Sequence, residues 1–267
     1  MSAGERRLAG KVAVILAGGQ PIARGIAIRY AREGALVAIL DGDEAAGRET
    51  ATLAGGDARF LPAATTDRSA LFAAISDIGN AQDRIDILVI GGEDAPAPAD
   101  WAPLEKKSDT AMRAALDQDM MGSFWAMQAA FPYMKGEGGS IICLFSPFGE
   151  YASQHVGDHM AGRWGMVGLA RTAAHEWGRH QIRVHSLVPL ADTPAFRAYR
   201  ERDPERVDAR IQDTALRRMG DVIDDIGGAA VFLGSDDTRF LTGQMVYADG
   251  GDFMTAPVFE PVWDEVE

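Results

Sequence analysis

The sequence predicts one α/β domain built on a doubly wound parallel sheet, and three observations point to this class. Short apolar runs, many of them β-branched, alternate with longer segments of helical spacing. The short runs are apolar throughout, which is typical of parallel strands buried on both faces. The chain has 267 residues, 47% hydrophobic and 24% charged, and nothing in its composition divides it. One large domain is therefore expected.

The elements follow in a regular order along the chain. Five runs are predicted to be strands, at residues 11–16, 35–40, 85–90, 140–145 and 183–188. Four segments have helical spacing, at residues 22–33, 69–78, 109–133 and 159–179. Right-handed crossovers between parallel strands then place helices on both faces of the sheet. Residues 1–252 are assigned to this domain, with a proline-rich surface loop at 91–103, and residues 253–267 to a short acidic tail.

Charge and composition exclude several classes of function. With 26 Lys and Arg against 39 Asp and Glu, the net charge is −13, which argues against nucleic-acid binding. No apolar run approaches the roughly 18 residues of a membrane helix. The lone Cys143 favours a reducing compartment, so a cytoplasmic protein is expected. No cluster has metal-ligand spacing, and His175, His180 and His185 are interpreted as helix-surface or strand-end residues.

The order of segments, and above all the last hundred residues, resembles the short-chain dehydrogenase/reductase family. The resemblance covers residues 8–251 and is strongest in residues 217–251, which are similar to the family's late helix and final strand. Residues 162–174 are similar to the central helix that follows the family's catalytic tyrosine. The resemblance implies a Rossmann-like sheet of about seven strands in a single domain.

The first turn departs from the family pattern, which reads Thr-Gly-x-x-x-Gly-x-Gly. Residues 16–23 read Leu-Ala-Gly-Gly-Gln-Pro-Ile-Ala at those positions, so every glycine of the motif is replaced. Pro21 has no N–H to offer a phosphate and suits the first turn of a helix. Gly18 and Gly19 remain candidates for an anion-binding concavity, and a plain strand-to-helix turn is the alternative.

The other positions at which the family binds its cofactor are retained only in part. Asp41 stands where the family places the acid that binds the adenosine ribose, which would favour NAD, although a loop or N-cap acid is an equal alternative. Thr193 lies in a matching loop and is a further candidate contact. Ala64 replaces the family's adenine-binding acid, and residues 90–93 replace its Asn-Asn-Ala-Gly. We therefore expect no cofactor, or NAD if one binds.

The catalytic positions are altered in the same way. The family uses Asn, Ser, Tyr and Lys, and this chain has Asp119, Ser146, His159 and Arg163 at those positions. In the family, Ser orients a carbonyl, Tyr transfers a proton, Lys lowers the pKa of Tyr and holds the ribose, and Asn anchors a water relay. His159 and Arg163 are four residues apart and share one helix face.

Two hypotheses follow for function. The preferred one is a catalytically silent subunit that partners an active homologue in a hetero-oligomer, or itself in a tetramer, because the substitutions cluster around the cofactor. The alternative is a non-standard enzyme, either an oxidoreductase or a cofactor-independent lyase or isomerase. It would use Ser146, His159 and Arg163 on a small organic or acyl molecule.

Overall fold

The computed structural model describes residues 6–92, 101–146 and 153–254. These contain seven strands: β1 (Val12–Leu16), β2 (Leu36–Asp41), β3 (Arg59–Pro62), β4 (Ile87–Ile90), β5 (Gly139–Leu144), β6 (Ile182–Pro189) and β7 (Met245–Ala248). All are parallel and form one sheet in the order β3-β2-β1-β4-β5-β6-β7. The predicted doubly wound fold is confirmed.

Helices cover both faces of the sheet. They are α1 (Pro21–Arg32), α2 (Glu44–Ala54), α3 (Arg68–Gln82), α4 (Asp109–Ala115), α5 (Gly122–Met134), α6 (Gly157–Trp177), α7 (Pro194–Arg202), α8 (Pro204–Asp213) and α9 (Gly227–Gly234). One core cluster packs α3, α5 and α6 against the sheet. The other packs α1 and α9 against the opposite face. Within the described ranges, no helix combines the length and apolar character needed to cross a membrane.

The long helix predicted at 109–133 is divided by a change of pitch. Its middle, Leu116–Met121, is π-helical and joins α4 to α5 without a turn. A π-helical segment inserts extra backbone per turn and shifts the side chains that follow it. Helical spacing in the sequence extends across such a segment, so the change of pitch was not predicted.

Several elements were missed or misplaced by sequence reasoning. The strand β3 is short and partly exposed, so it has no continuous apolar run. Helices α2, α7 and α8 bury few side chains and contain few large apolar residues. The prediction for His185 was wrong, because this residue lies within β6 and is 1% exposed. Most of the loop predicted at 91–103 and most of the tail at 253–267 lie outside the described residues.

Candidate functional site

The predicted site residues gather at the carboxyl ends of the central strands. The strand order reverses between β1 and β4, and open parallel sheets bind ligands in the crevice at such a point. Gly18 and Gly19 follow β1, Asp41 ends β2, and Ser146 follows β5 by two residues. The sheet therefore brings together candidates that are more than a hundred residues apart in sequence.

The turn between β1 and α1 satisfies its own backbone donors. The N–H of Gly18 donates to the Leu40 carbonyl at 3.1 Å, and that of Gln20 donates to the Ala17 carbonyl at 3.0 Å. The N–H of Gly19 donates to the Asp41 carboxylate at 2.8 Å. Pro21 begins the helix and has no N–H. Three N–H groups of this turn are thus engaged within the protein.

The two glycines of this turn are required by close packing. A Cβ on Gly18 would lie 2.7 Å from Cγ2 of Ile39, and one on Gly19 would lie 2.7 Å from Cβ of Ala46. Contacts this short do not occur between real side chains, so larger residues would force the turn away from β2 and α2. Close packing in the turn accounts for both glycines without a ligand.

The Asp41 carboxylate acts as a brace between two loops. It is 7% exposed, and it accepts the N–H of Gly19 and the N–H of Asp43, each at 2.8 Å. The N-cap of α2 is Asp43, whose side chain accepts from Ala45 and Ala46. Asp41 therefore ends β2 and braces the turn. The N-cap role that the sequence suggested for Asp41 belongs to Asp43.

Thr193 has a structural partner. Its hydroxyl accepts the N–H of Phe196 at 3.2 Å and caps the start of α7, where Pro194 occupies the first turn. The side chain is buried, at 6% exposure. This N-cap role is the one contact of the hydroxyl that the structure describes, and it satisfies a helix donor that would otherwise be unpaired.

Three of the four candidate catalytic residues, Asp119, His159 and Arg163, meet directly. Oδ2 of Asp119 lies 3.7 Å from Nδ1 of His159 and 3.3 Å from Nε of Arg163. Nη1 of Arg163 donates to the Leu144 carbonyl at 2.8 Å, at the end of the strand that Ser146 follows. All four residues are buried, at 3–8% exposure. The expected shared helix face of His159 and Arg163 places both side chains against the π-helical segment.

Glycines also allow this assembly, a feature that sequence reasoning missed. A Cβ on Gly92 would overlap the guanidinium of Arg163, which therefore lies against the backbone just after β4. A Cβ on Gly162 would lie 2.7 Å from the Ala115 carbonyl and 3.0 Å from Cβ of Asp119. Helix α6 can approach the π-helical segment closely enough for Asp119 to reach Arg163 because residue 162 has no side chain.

The imidazole of His159 is neutral at physiological pH. Burial, followed by the positive charge of Arg163, lowers its pKa from 6.5 to about 3. Its Nδ1 faces the Asp119 carboxylate, while its Nε2 is buried without a hydrogen-bond partner among the described residues. Oγ of Ser146 and Nε2 of His159 are thus buried without a hydrogen-bond partner among the described residues.

A second ion pair beside the site was not predicted. Nζ of Lys107 lies 2.7 and 2.8 Å from the two carboxylate oxygens of Asp158, the residue before His159. The Lys107 side chain is 4% exposed. The pair ties the segment before α4 to the first turn of α6. The local sequence around Lys107 carries no signal for this contact, because it depends on the packing of two helices.

Comparisons with known proteins agree with the fold. A family model described as enoyl-(acyl carrier protein) reductase matches residues 16–252. A 12alpha-hydroxysteroid dehydrogenase from a Clostridium species is 31% identical over 258 residues, covering 91% of this chain and 96% of that enzyme. A (3R)-3-hydroxyacyl-CoA dehydrogenase from Canis lupus familiaris is 30% identical, covering 93% of this chain and 98% of that enzyme.

Solved structures give the same result. A carveol dehydrogenase from Mycobacterium avium, solved in complex with NAD, superposes with a TM-score of 0.82 at 28% identity, covering 93% of this chain and 99% of that one. A short-chain type dehydrogenase/reductase from Mycobacterium ulcerans superposes with a TM-score of 0.83 at 25% identity, covering 92% and 91%. With a family model and relatives matched over nearly its whole length, this chain belongs to the short-chain dehydrogenase/reductase family.

Proposed function

We propose that this chain is a catalytically silent subunit of the family, which supports an active homologue in a shared oligomer. The observation that carries the proposal is that the charged groups of the site pair with one another. Asp119 is shared between His159 and Arg163, and Arg163 is also bonded to the Leu144 carbonyl. Proton transfer to a substrate needs a group whose pKa lies near the working pH and which can reach that substrate.

The proton chemistry supports a silent site. An imidazole with a pKa of about 3 carries almost no exchangeable extra proton near neutral pH, so His159 is a poor general acid there. It is also a weak base for the same reason. A guanidinium stays protonated in proteins, so Arg163 cannot take over proton transfer. The arginine acts as a clamp between β5 and α6.

The cofactor position supports the same proposal. The fold family implies a dinucleotide, whose pyrophosphate binds N–H groups of the first turn. Here the N–H groups of Gly18, Gly19 and Gln20 are bonded within the protein, and Pro21 has none. These four residues offer a pyrophosphate no free N–H, and we assign no step of chemistry to the dinucleotide.

Calorimetry with NAD+, NADH, NADP+ and NADPH on the isolated chain tests the cofactor part. We expect no dissociation constant tighter than about 1 mM, which corresponds to about 4 kcal/mol of binding free energy. The 12alpha-hydroxysteroid dehydrogenase relative, assayed in parallel, serves as the positive control. Micromolar binding of any of the four, or dinucleotide-dependent turnover by this chain alone, would contradict the proposal.

The partner is tested by purification from the native source. We expect a second chain of the same family, with an intact Tyr-x-x-x-Lys motif, in fixed stoichiometry with this one. Dehydrogenase activity should belong to the complex and be lost when the partner's Tyr is changed to Phe. Recovery of this chain alone, or of a homotetramer that is itself active, contradicts the proposed role.

The alternative is a non-standard enzyme. Oγ of Ser146 and Nε2 of His159 support this alternative, because both are buried without a hydrogen-bond partner among the described residues. In that case Ser146→Ala and His159→Ala should each lower turnover of the purified protein by at least about a hundredfold, the usual effect of losing an acid-base group. Unchanged activity of the complex in both variants would exclude chemistry in this cleft.

A further inference from the structure

Three exposed apolar side chains lie together where the described part of the chain ends. Leu216, Phe253 and Met254 are 64%, 44% and 70% exposed, and we call them the terminal patch. They come from two segments that touch, since a Cβ on Gly251 would lie 2.7 Å from Cβ of Ala215 and 3.1 Å from Cε of Met254. Single exposed apolar residues are common, whereas several together indicate a surface that is covered.

The described chain ends at a fixed point beside α8. The carboxylate of Asp249 accepts the N–H of Gly251 at 2.9 Å and the N–H of Phe253 at 2.8 Å. Nη2 of Arg210, in α8, lies 2.9 Å from the buried carboxylate of Asp252. These bonds tie the end of the described chain to α8, so the residues that follow it start beside the terminal patch.

The same region carries arginines without carboxylate partners. Arginine occurs at seven positions between residues 197 and 218. Four of them, at positions 197, 200, 210 and 218, form ion pairs. The other three, Arg202, Arg206 and Arg217, are exposed and form no ion pair within the described ranges. Arg206 lies one turn before Arg210 on the same side of α8, and Arg217 directly follows Leu216. Two of these cations therefore border the terminal patch.

The residues that follow have a complementary composition. Residues 255–267 read Thr-Ala-Pro-Val-Phe-Glu-Pro-Val-Trp-Asp-Glu-Val-Glu. They contain four carboxylates and no Lys or Arg, and large apolar side chains lie between the acids. Thirteen residues can span about 40 Å when extended, whereas the ten residues of α8 span about 15 Å. The segment is therefore long enough to reach both arginines from its starting point.

We propose that residues 255–267 dock onto α8 of the same chain, with apolar side chains on the terminal patch and carboxylates at Arg206 and Arg217. The same chain is the occupant because a segment that begins beside the patch has a high effective concentration there. The inference goes beyond the proposed function and does not rest on it. Docking adds a contact to α8, which belongs to the part of the chain that follows the carboxyl end of β6.

Cross-linking of the full chain tests the contact directly. Arg206→Lys and Arg217→Lys each keep the charge and supply an amine, which a carbodiimide joins to a carboxylate only when the two groups touch. At least one variant should give an amide between its new amine and a carboxylate of residues 260–267, identified by mass spectrometry. Arg32→Lys, at the exposed end of α1, is the matched control and should give none. No cross-link from position 206 or 217 overturns the proposal.

The mass of the cross-linked product shows which chain supplies the segment. A cross-link within one chain leaves the denatured mass at 28.6 kDa, whereas a cross-link between chains doubles it. The amides from positions 206 and 217 should be found in the product with the mass of one chain. Their presence only in the doubled product would place the segment on a second copy and overturn docking within the chain.

Proteolysis measures docking independently. A glutamate-specific protease cleaves after Glu260, and docking should protect this bond in the full chain. Arg206→Glu combined with Arg217→Glu should raise the rate of this cleavage by about fivefold or more, because two ion pairs are replaced by like charges. Arg32→Glu combined with Arg59→Glu makes the same change of charge at other exposed positions and should alter the rate by less than about twofold. Equal rates in the wild type and the first variant would contradict docking.

The apolar part of the contact has its own variant. Leu216→Asp places a charge in the terminal patch and should also raise cleavage after Glu260 by about fivefold or more. Leu53→Asp is the matched control, because Leu53 is 54% exposed on α2, and it should leave the rate unchanged. An unchanged rate in Leu216→Asp would mean that the segment does not cover the terminal patch, and the proposal would be wrong.

Discussion

At the scale of single residues, one buried carboxylate determines what the site can do. Asp119 lies between an imidazole and a guanidinium, and its Oδ2 is within 3.7 Å of both. The imidazole is neutral, because burial and the neighbouring guanidinium both oppose its protonation. The site is consequently an ion pair with a neutral ring beside it.

Two buried neutral histidines predict that acid destabilises the fold. Burial, and then Arg163 for one ring and Arg183 for the other, lowers the pKa of His159 to about 3 and that of His185 to about 4. Both titrate near 6.5 when unfolded, so between these values the unfolded chain binds more protons. Stability from this source is full above about pH 6.5 and falls as the pH drops toward 4.

The measurement is urea unfolding between pH 7.5 and 4.5. His185→Leu should reduce the loss of unfolding free energy on acidification, by at most about 1.4 kcal/mol per pH unit for one proton. His175→Leu, on the exposed surface of α6, is the control and should leave the slope unchanged. Identical slopes for the wild type and His185→Leu would mean that His185 does not contribute.

At the scale of secondary structure, the site depends on how closely α6 approaches the π-helical segment Leu116–Met121. Two glycines of α6 face this segment. A Cβ on Gly162 would meet the Ala115 carbonyl, and one on Gly165 would lie 2.8 Å from the sulfur of Met120. The backbone carbonyl of Ala115 cannot easily move aside for a new Cβ, whereas the side chain of Met120 is flexible. Gly162 is therefore the more restrictive position.

Alanine at two positions of the same helix tests this contact. Gly162→Ala should lower the free energy of unfolding by about 1–3 kcal/mol, as overpacking typically does. Gly168→Ala is the matched control, because a Cβ there meets nothing within 4 Å, and it should stabilise the protein by about 0.5–1 kcal/mol through helix propensity. Chemical denaturation measures both. If both substitutions stabilised the protein, α6 would be able to move away from the π-helical segment at little energetic cost.

At the scale of the whole molecule, the exposed apolar residues favour assembly. Two of them, Phe240 and Leu241, lie a few residues before the edge strand β7, and Phe240 is fully exposed in the single chain. An open strand edge beside apolar side chains is a site of association in soluble proteins. This edge is where we expect the proposed partner, or a second copy, to bind.

Light scattering at low micromolar concentration tests the assembly. The purified protein should have a mass at least twice the 28.6 kDa of one chain. Phe240→Glu should reduce that mass, because a carboxylate in a buried interface is costly. Leu53→Glu, on the exposed side of α2, is the control and should not change it. A wild-type monomer, together with no partner recovered from the native source, would refute the assembly and the silent-subunit function that depends on it.

The sequence by itself predicted the five inner strands of the sheet and named the residues of the candidate site. Continuous apolar runs predicted β1, β2, β4, β5 and β6 to within two residues at each end, because strands buried on both faces allow few polar side chains. The spacing of His159 and Arg163 predicted their common helix face. Comparison with the family pattern named Asp119 and Ser146 as their neighbours.

Only the tertiary structure decided what these residues do. The engagement of Gly19 by Asp41, the clamp of Arg163 on Leu144 and the burial of Lys107 with Asp158 join elements far apart in sequence. The burial of His185 was missed because a histidine in a strand gives no local sign of its depth. A pKa or a hydrogen-bond partner depends on the three-dimensional environment of a group, and local sequence patterns specify only the element that carries it.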